Sequence, residues 1–281
     1  MIGLSYTLAV FSAVSYGAAD FLGGIATKRG AMYSVVVLSQ LTGLILVLLA
    51  LPALPSASPT ASDFAWGAAS GLAGGIGVAL LYRGLAVGVM SVVAPVTAVC
   101  AVLIPLAVGA GLGERPAGLA LLGVVLALIA IVLVSRTGVT EAGKRTTSGV
   151  SIAIASGIAI GIFLVCLERT GPAAGLWPLA AARIVSVGFL SGVALVRGAA
   201  LRPQRGSLTI LIACGALDMV ANILYLLAVR EGPLGIVATL TSLYPASTVI
   251  LARVVLHERL RPIQLGGVAC AAAAIVLIVS A

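Results

Sequence analysis

Two ionisable residues stand deep inside apolar runs of this chain, Arg183 and Asp218. Read as helices rising 1.5 Å per residue, the runs place Arg183 about 12 Å from one end and Asp218 about 16 Å from the opposite end. Both then fall near the middle of an apolar layer, on consecutive antiparallel helices. A charge at that depth costs at least a few kcal/mol and faces a bundle interior or a watery cavity. An ion pair would satisfy both groups. Unpaired, the guanidinium could hold a carboxylate or phosphate and the carboxylate an ammonium, which together suit a zwitterion such as an amino acid. Both readings stay open at this point. Asn222 and Tyr225 follow Asp218 at helical spacing, and the stripe Asp218–Asn222–Tyr225 is expected to line a cavity.

Other polar residues gather around the same idea. Ser39 and Gln40 occupy the level of Arg183 in the first half of the chain, whereas Gly74 occupies that of Asp218, so the polar weight is drawn toward the second half. Gln40, Tyr16, Thr241 and Tyr244 are counted with the cavity. Asp20 and Arg83 reach a similar depth from opposite directions and could close a gate, with Tyr82 as an aromatic wall beside them. Snorkelling of Arg83 is the plainer alternative. Pro95, Pro105 and Pro245 interrupt apolar runs and are expected to bend or break them, because proline removes a backbone donor and clashes with the preceding turn. Glu114 and Glu258, each followed by arginine, read as helix punctuation.

The elements that must position these residues are membrane helices. Of 281 residues, 61% are hydrophobic and 9% charged, with a mean hydropathy of +1.25. A soluble domain carries about a quarter charged residues. Runs of about 20 apolar residues span a bilayer as helices, and the runs lack the alternation of a transmembrane barrel. Ten spans are expected, at 3–26, 33–51, 64–87, 91–111 and 117–135, then 149–168, 176–197, 207–229, 234–256 and 262–280. Only 136–148 is a long polar connection. It separates residues 1–135 from 149–281 as two five-helix repeats.

The repeat is legible directly. At an offset of 144 residues Gly88 matches Gly232, Thr97 matches Thr241, Glu114-Arg115 matches Glu258-Arg259, and Gly123 matches Gly267. Five helices per copy force the two copies to enter the membrane from opposite sides, which makes an inverted repeat of the kind many transporters use. Lysine and arginine divide twelve to three between loops after odd and even spans, placing the odd loops in the cytoplasm and both termini outside. Glycines at 67, 71 and 75, at 157 and 161, and at 188 and 192 repeat every four residues and predict close helix contacts.

Several function classes are disfavoured. A net charge of +8 sits at helix ends without interleaved aromatics, so nucleic acid is not expected as a partner. Cys100, Cys166, Cys214 and Cys270 lie in apolar runs far from the one histidine, His257, and suggest no metal site. No hydrolase, metalloenzyme or phosphate-loop motif is present, and neither an enzyme nor a cofactor is expected. No ring of like charges argues for a channel. With 5% aromatic residues, an aromatic cage for large cations is not expected.

The paired blocks Gly113-Glu114-Arg115 and His257-Glu258-Arg259-Leu260, each after a proline-bearing apolar helix, resemble the ten-helix EamA-like members of the drug/metabolite transporter superfamily. The resemblance implies an all-α, multi-pass permease of the bacterial inner membrane, acting on a small-molecule substrate within the lipid bilayer, often as an exporter of amino acids or related metabolites. Carriers of nucleotide sugars or phosphorylated sugars are the alternative within the superfamily. A monomer is expected over an oligomer.

Overall fold

The structure is a computed structural model that describes residues 2–29, 31–54, 56–87, 90–134, 146–203, 206–255 and 262–281. The described residues are helical throughout their regular structure. The helices are α1 (Ile2–Arg29), α2 (Met32–Ala50), α3 (Ala61–Val87), α4 (Met90–Gly111), α5 (Gly118–Val134), α6 (Thr146–Glu168), α7 (Trp177–Val196), α8 (Leu208–Glu231), α9 (Leu234–Thr241), α10 (Tyr244–Val255) and α11 (Pro262–Val279). Eight candidate spans are long and apolar enough to cross a membrane, one of them made of α9 and α10 together. Val96–Gly111 and Gly118–Val134 are shorter apolar helices. The polar connection at 136–148 falls largely outside the described residues, as do Glu258 and Arg259.

Large aliphatic side chains lie outside and small ones inside. Leu49, Leu195 and Val196 are 70%, 73% and 90% exposed, whereas Ala9, Ala98, Ala127, Ala153 and Ala274 are fully buried. Water would not tolerate so much exposed apolar surface, and lipid does. In lipid, association depends on close backbone approach and on polar side chains that find carbonyls across the interface. Gly67, Gly71 and Gly75 of α3 lie against Pro178, Ala182 and Ser186 of α7, one small residue per turn. Gly157 and Gly161 seat α6 on α4 in the same way. Gly188 and Gly192 do not follow this pattern: a Cβ on either would meet nothing within 4 Å. Their spacing matches the motif, but they face away from the bundle.

The principal helix pairings run between the two halves, α1 on α8, α3 on α6, α5 on α11, α4 on α6 and α3 on α7. Helices adjacent in sequence touch far less. Many contacts come in pairs offset by 144 residues. The Ser12 hydroxyl donates to the Ala221 carbonyl at 2.8 Å, and the Ser156 hydroxyl donates to the Gly77 carbonyl at 2.7 Å. Likewise Gly123 packs against Leu277 and Ile278, and Gly267 against Leu133 and Val134.

One end of the bundle is tied by hydrogen bonds. Thr60 and Asp63 form a reciprocal cap on α3, with Thr60 N–H to Asp63 Oδ2 at 2.8 Å and Asp63 N–H to Thr60 Oγ1 at 3.3 Å. The second Asp63 oxygen accepts from Gly171 N–H at 2.7 Å, and Arg230 donates to the Gly171 carbonyl at 3.0 Å. At the same end Glu114, in the turn after α4, reaches the other half. Its two oxygens accept from Leu234 N–H at 2.6 Å and Gly235 N–H at 3.0 Å, satisfying the first free donors of α9. Glu114 does punctuate a helix, but one 120 residues away.

The breaks expected at prolines are only partly formed. α9 ends at Thr241 and α10 begins at Tyr244, so Pro245 sits in the first turn of α10, where its missing N–H has no helical partner to lose. At Pro95 and Pro105 there is no break, and α4 runs unbroken from Met90 to Gly111. Pro105 is buried there, where neighbouring helices can shelter the freed carbonyl.

Candidate functional site

A cavity with about 870 Å³ of empty space, its open mouth included, lies between the two halves. The first half contributes Tyr16 and Asp20 of α1, Gln40 of α2 and the Gly71–Gly74–Gly75 surface of α3. From the second half come Phe163, Arg183, Ser186, Asp218 and Asn222, then Thr241, Ser242 and Tyr244 around the α9–α10 break.

Arg183 and Asp218 form an ion pair, Nη2 donating to Oδ2. The arginine is 7% exposed, and α2 lets it in because position 43 is glycine: a Cβ there would stand 3.3 Å from Nε. The carboxylate also receives Asn222 Nδ2 at 3.4 Å, and the same amide donates to the Asp218 backbone carbonyl at 2.6 Å. Ser186 donates to the Arg183 carbonyl at 3.2 Å and to Gln40 Oε1 at 3.4 Å, tying α7 to α2. Two charges at mid-depth thereby neutralise each other. The zwitterion argument, which needed them apart, no longer has that support.

Tyr16 and Tyr244 meet edge to face, ring centroids 6.5 Å apart, and with Phe163 give the cavity an aromatic side. Tyr16 was expected as part of such a wall, and the fold brings Tyr244 and Phe163 beside it. Buried polar atoms without a partner among the described residues include Tyr16 Oη, Asn222 Oδ1 and Thr241 Oγ1, all on lining residues. Three such atoms lie on residues around one space, where they are free to bond a polar solute.

Not every expected residue arrives. Tyr225 is not in the cavity wall: it is fully buried and its hydroxyl donates to the Leu164 carbonyl at 3.0 Å. It shares the α8 face of Asp218, as the spacing requires, but nearly two turns on, where α6 covers that face. Asp20 lines the cavity, yet Arg83 does not meet it. Arg83 is exposed, and the ion pairs among the described residues are Glu168–Arg169 and Arg183–Asp218. Tyr82, one residue earlier and about 100° around the helix, turns inward instead and packs against Gly23 and the cluster of Val36, Val37 and Leu190. Pro105 and Pro245 lie outside the lining set, and the side chain of Pro95 falls outside what the structure describes. Phe163, Ser186 and the α3 glycines were not foreseen as lining; the four-residue glycine spacing was the available signal.

Residues 147–280 match the model of the EamA-like transporter family. The match spans 134 of the 281 residues and lies in the second half of the chain. Similarity to that family points to a membrane transporter, and eight helices among the described residues are long and apolar enough to cross a membrane. A crystal structure of a protein 17% identical in sequence superposes with a TM-score of 0.78, covering 97% of this chain and 96% of that one. At that identity the likeness concerns the fold alone, and it extends through the first half, which the EamA-like match does not reach. No curated protein matches the chain in sequence.

Proposed function

We propose that this protein is a secondary transporter that moves a small polar metabolite across the bacterial inner membrane by alternating access. The observation that carries the reading is the cavity itself, walled by both halves and ringed by unpartnered polar atoms. A ligand held there contacts α1, α2 and α3 on one side and α6 to α10 on the other, so its binding energy depends on how the halves sit. That is the condition for a solute to shift an equilibrium between conformations.

The two halves act as inverted five-helix repeats in a ten-span bundle, α9 and α10 together making the ninth span. Supporting this are the 144-residue offset in sequence and the contacts that repeat at the same offset, Ser12–Ala221 with Ser156–Gly77 among them. Exchange of the halves converts one conformation into its mirror across the membrane, which gives alternating access without a second set of contacts.

The test is counterflow. Proteoliposomes preloaded with unlabelled solute take up labelled solute transiently against its gradient if the protein is a carrier. Amino acids, amines, sugars and nucleotides form the panel. Equilibration without overshoot for every transported solute would indicate a channel and sink the alternating-access reading.

A further inference from the structure

We propose that the cavity selects a small organic cation, an amine or ammonium group on a compact apolar body, with Asp20 as its counter-charge. The inference rests on the transport reading and specifies its substrate class.

The charges facing the cavity are Asp20, Asp218 and Arg183. Arg183 is committed to Asp218, and that carboxylate receives the Asn222 amide as well. Two carboxyl groups face one guanidinium, and Asp20 is the one left without an ion-pair partner among the described residues. A carboxylate at this depth calls for a positive partner, and none of the described side chains supplies one.

The orphaned atoms agree in sign. Asn222, 2% exposed and on the cavity wall, leaves Oδ1 without a donor, and an amide oxygen is only an acceptor. The hydroxyls of Tyr16 and Thr241 can accept also. An ammonium brings three donors and no acceptor, matching a carboxylate, an amide oxygen and a hydroxyl. Tyr16 lies one turn from Asp20 on α1, and Tyr16, Tyr244 and Phe163 put aromatic rings on the cavity wall, a residue type that attracts cations. Val78, Leu81 and Ile160 line the remainder, which suits an apolar body. An anion or a zwitterion would need Arg183 for its carboxylate, and would have to break the pair with Asp218 to obtain it.

A matched trio separates the possibilities: 2-phenylethylamine, phenylalanine and 3-phenylpropionate share a body and differ in head-group charge. Isothermal titration of the full-length protein in nanodiscs should give binding of the amine at least tenfold tighter than either of the others. Folded Asp20→Asn should lose at least tenfold in amine affinity. Equal or tighter binding of phenylalanine or phenylpropionate to the unaltered protein overturns the cation assignment, and needs no variant to do so. Amine affinity within twofold of the original in Asp20→Asn overturns the role of Asp20. If none of the trio binds while counterflow of another solute succeeds, the cation class is wrong and the transport reading stands. Absence of counterflow with any solute removes both.

Discussion

Replacing Gly71 by alanine adds one methyl group where α3 crosses α7. The new Cβ would stand 2.6 Å from Ala182 Cα and 2.7 Å from its carbonyl carbon, with the carbonyl oxygen closer still. These are backbone atoms, so no rotamer change relieves the clash. Ordinary contact begins at 3.4 Å, and with the carbonyl oxygen nearer than Cα the helices must part by more than about 0.8 Å at this crossing. A gap of about 0.5–1 Å forfeits roughly a quarter to a half of each dispersion contact along the seam. Overpacking of this sort costs about 1–3 kcal/mol, against which alanine returns up to about 1 kcal/mol of helix propensity. The expected net loss is about 1–2 kcal/mol. Gly75→Ala is the internal standard, since its Cβ would meet Ser186 at an ordinary 3.5 Å and should be near neutral. Gly188→Ala, with nothing within 4 Å, should be neutral or slightly stabilising. Thermal unfolding in nanodiscs, followed by intrinsic fluorescence, ranks the three. If Gly71→Ala melts with Gly188→Ala, the α3–α7 seam is not the tight contact described, and the closeness of the two helices is not what holds the cavity wall in place.

Asp218→Asn should strand Arg183 inside the bundle and lower stability by about 3 kcal/mol, the low end for a broken buried pair because the Asp218 side chain is 29% accessible. The exchanged double variant Arg183→Asp with Asp218→Arg should recover the folded yield; unchanged thermal stability in the single variant would mean the pair contributes nothing to the fold. Glu114→Ala should cost about 1–2 kcal/mol, as the loss of a helix cap does, and should speed amide exchange at Leu234 and Gly235. Exchange as slow as in the unaltered protein would show that α9 does not depend on that carboxylate.

Much of this was readable from the chain. The run from 234 to 256 with Pro245 inside it signalled a broken span, and the mid-depth positions of Arg183 and Asp218 signalled their meeting, because hydrocarbon leaves charges few neighbours. What periodicity could not supply was the identity of the covering element. Tyr225 lies on the expected face of α8, yet α6 lies over it, and no property of α8 says where α6 goes. The glycine pairs show the same limit: 67 to 75 and 188 to 192 have one spacing, but only the first faces a partner. Asp20 was given the wrong companion, since Arg83 is one residue past the inward-facing Tyr82. Glu114 was legible as a terminator and not as a cap, because its target is in the other half of the sequence.

The pairing of α1 with α8 sets the order of events during biogenesis. Ser5 and Ser12 bond to carbonyls 223 and 209 residues downstream. At about 5–20 residues per second of synthesis, α1 waits on the order of 10–40 s in the bilayer before its partner emerges from the ribosome. Through that interval its serines and Asp20 have no α8 to face, and the α3 face that will seat α6 is bare as well. Five helices then stand in the membrane with few contacts among themselves, each holding a surface shaped for a helix not yet made. The second half does not fold beside the first but is threaded into it, so the intermediate that membrane chaperones and proteases meet is an open set of spans, and it closes only as α6 to α8 arrive.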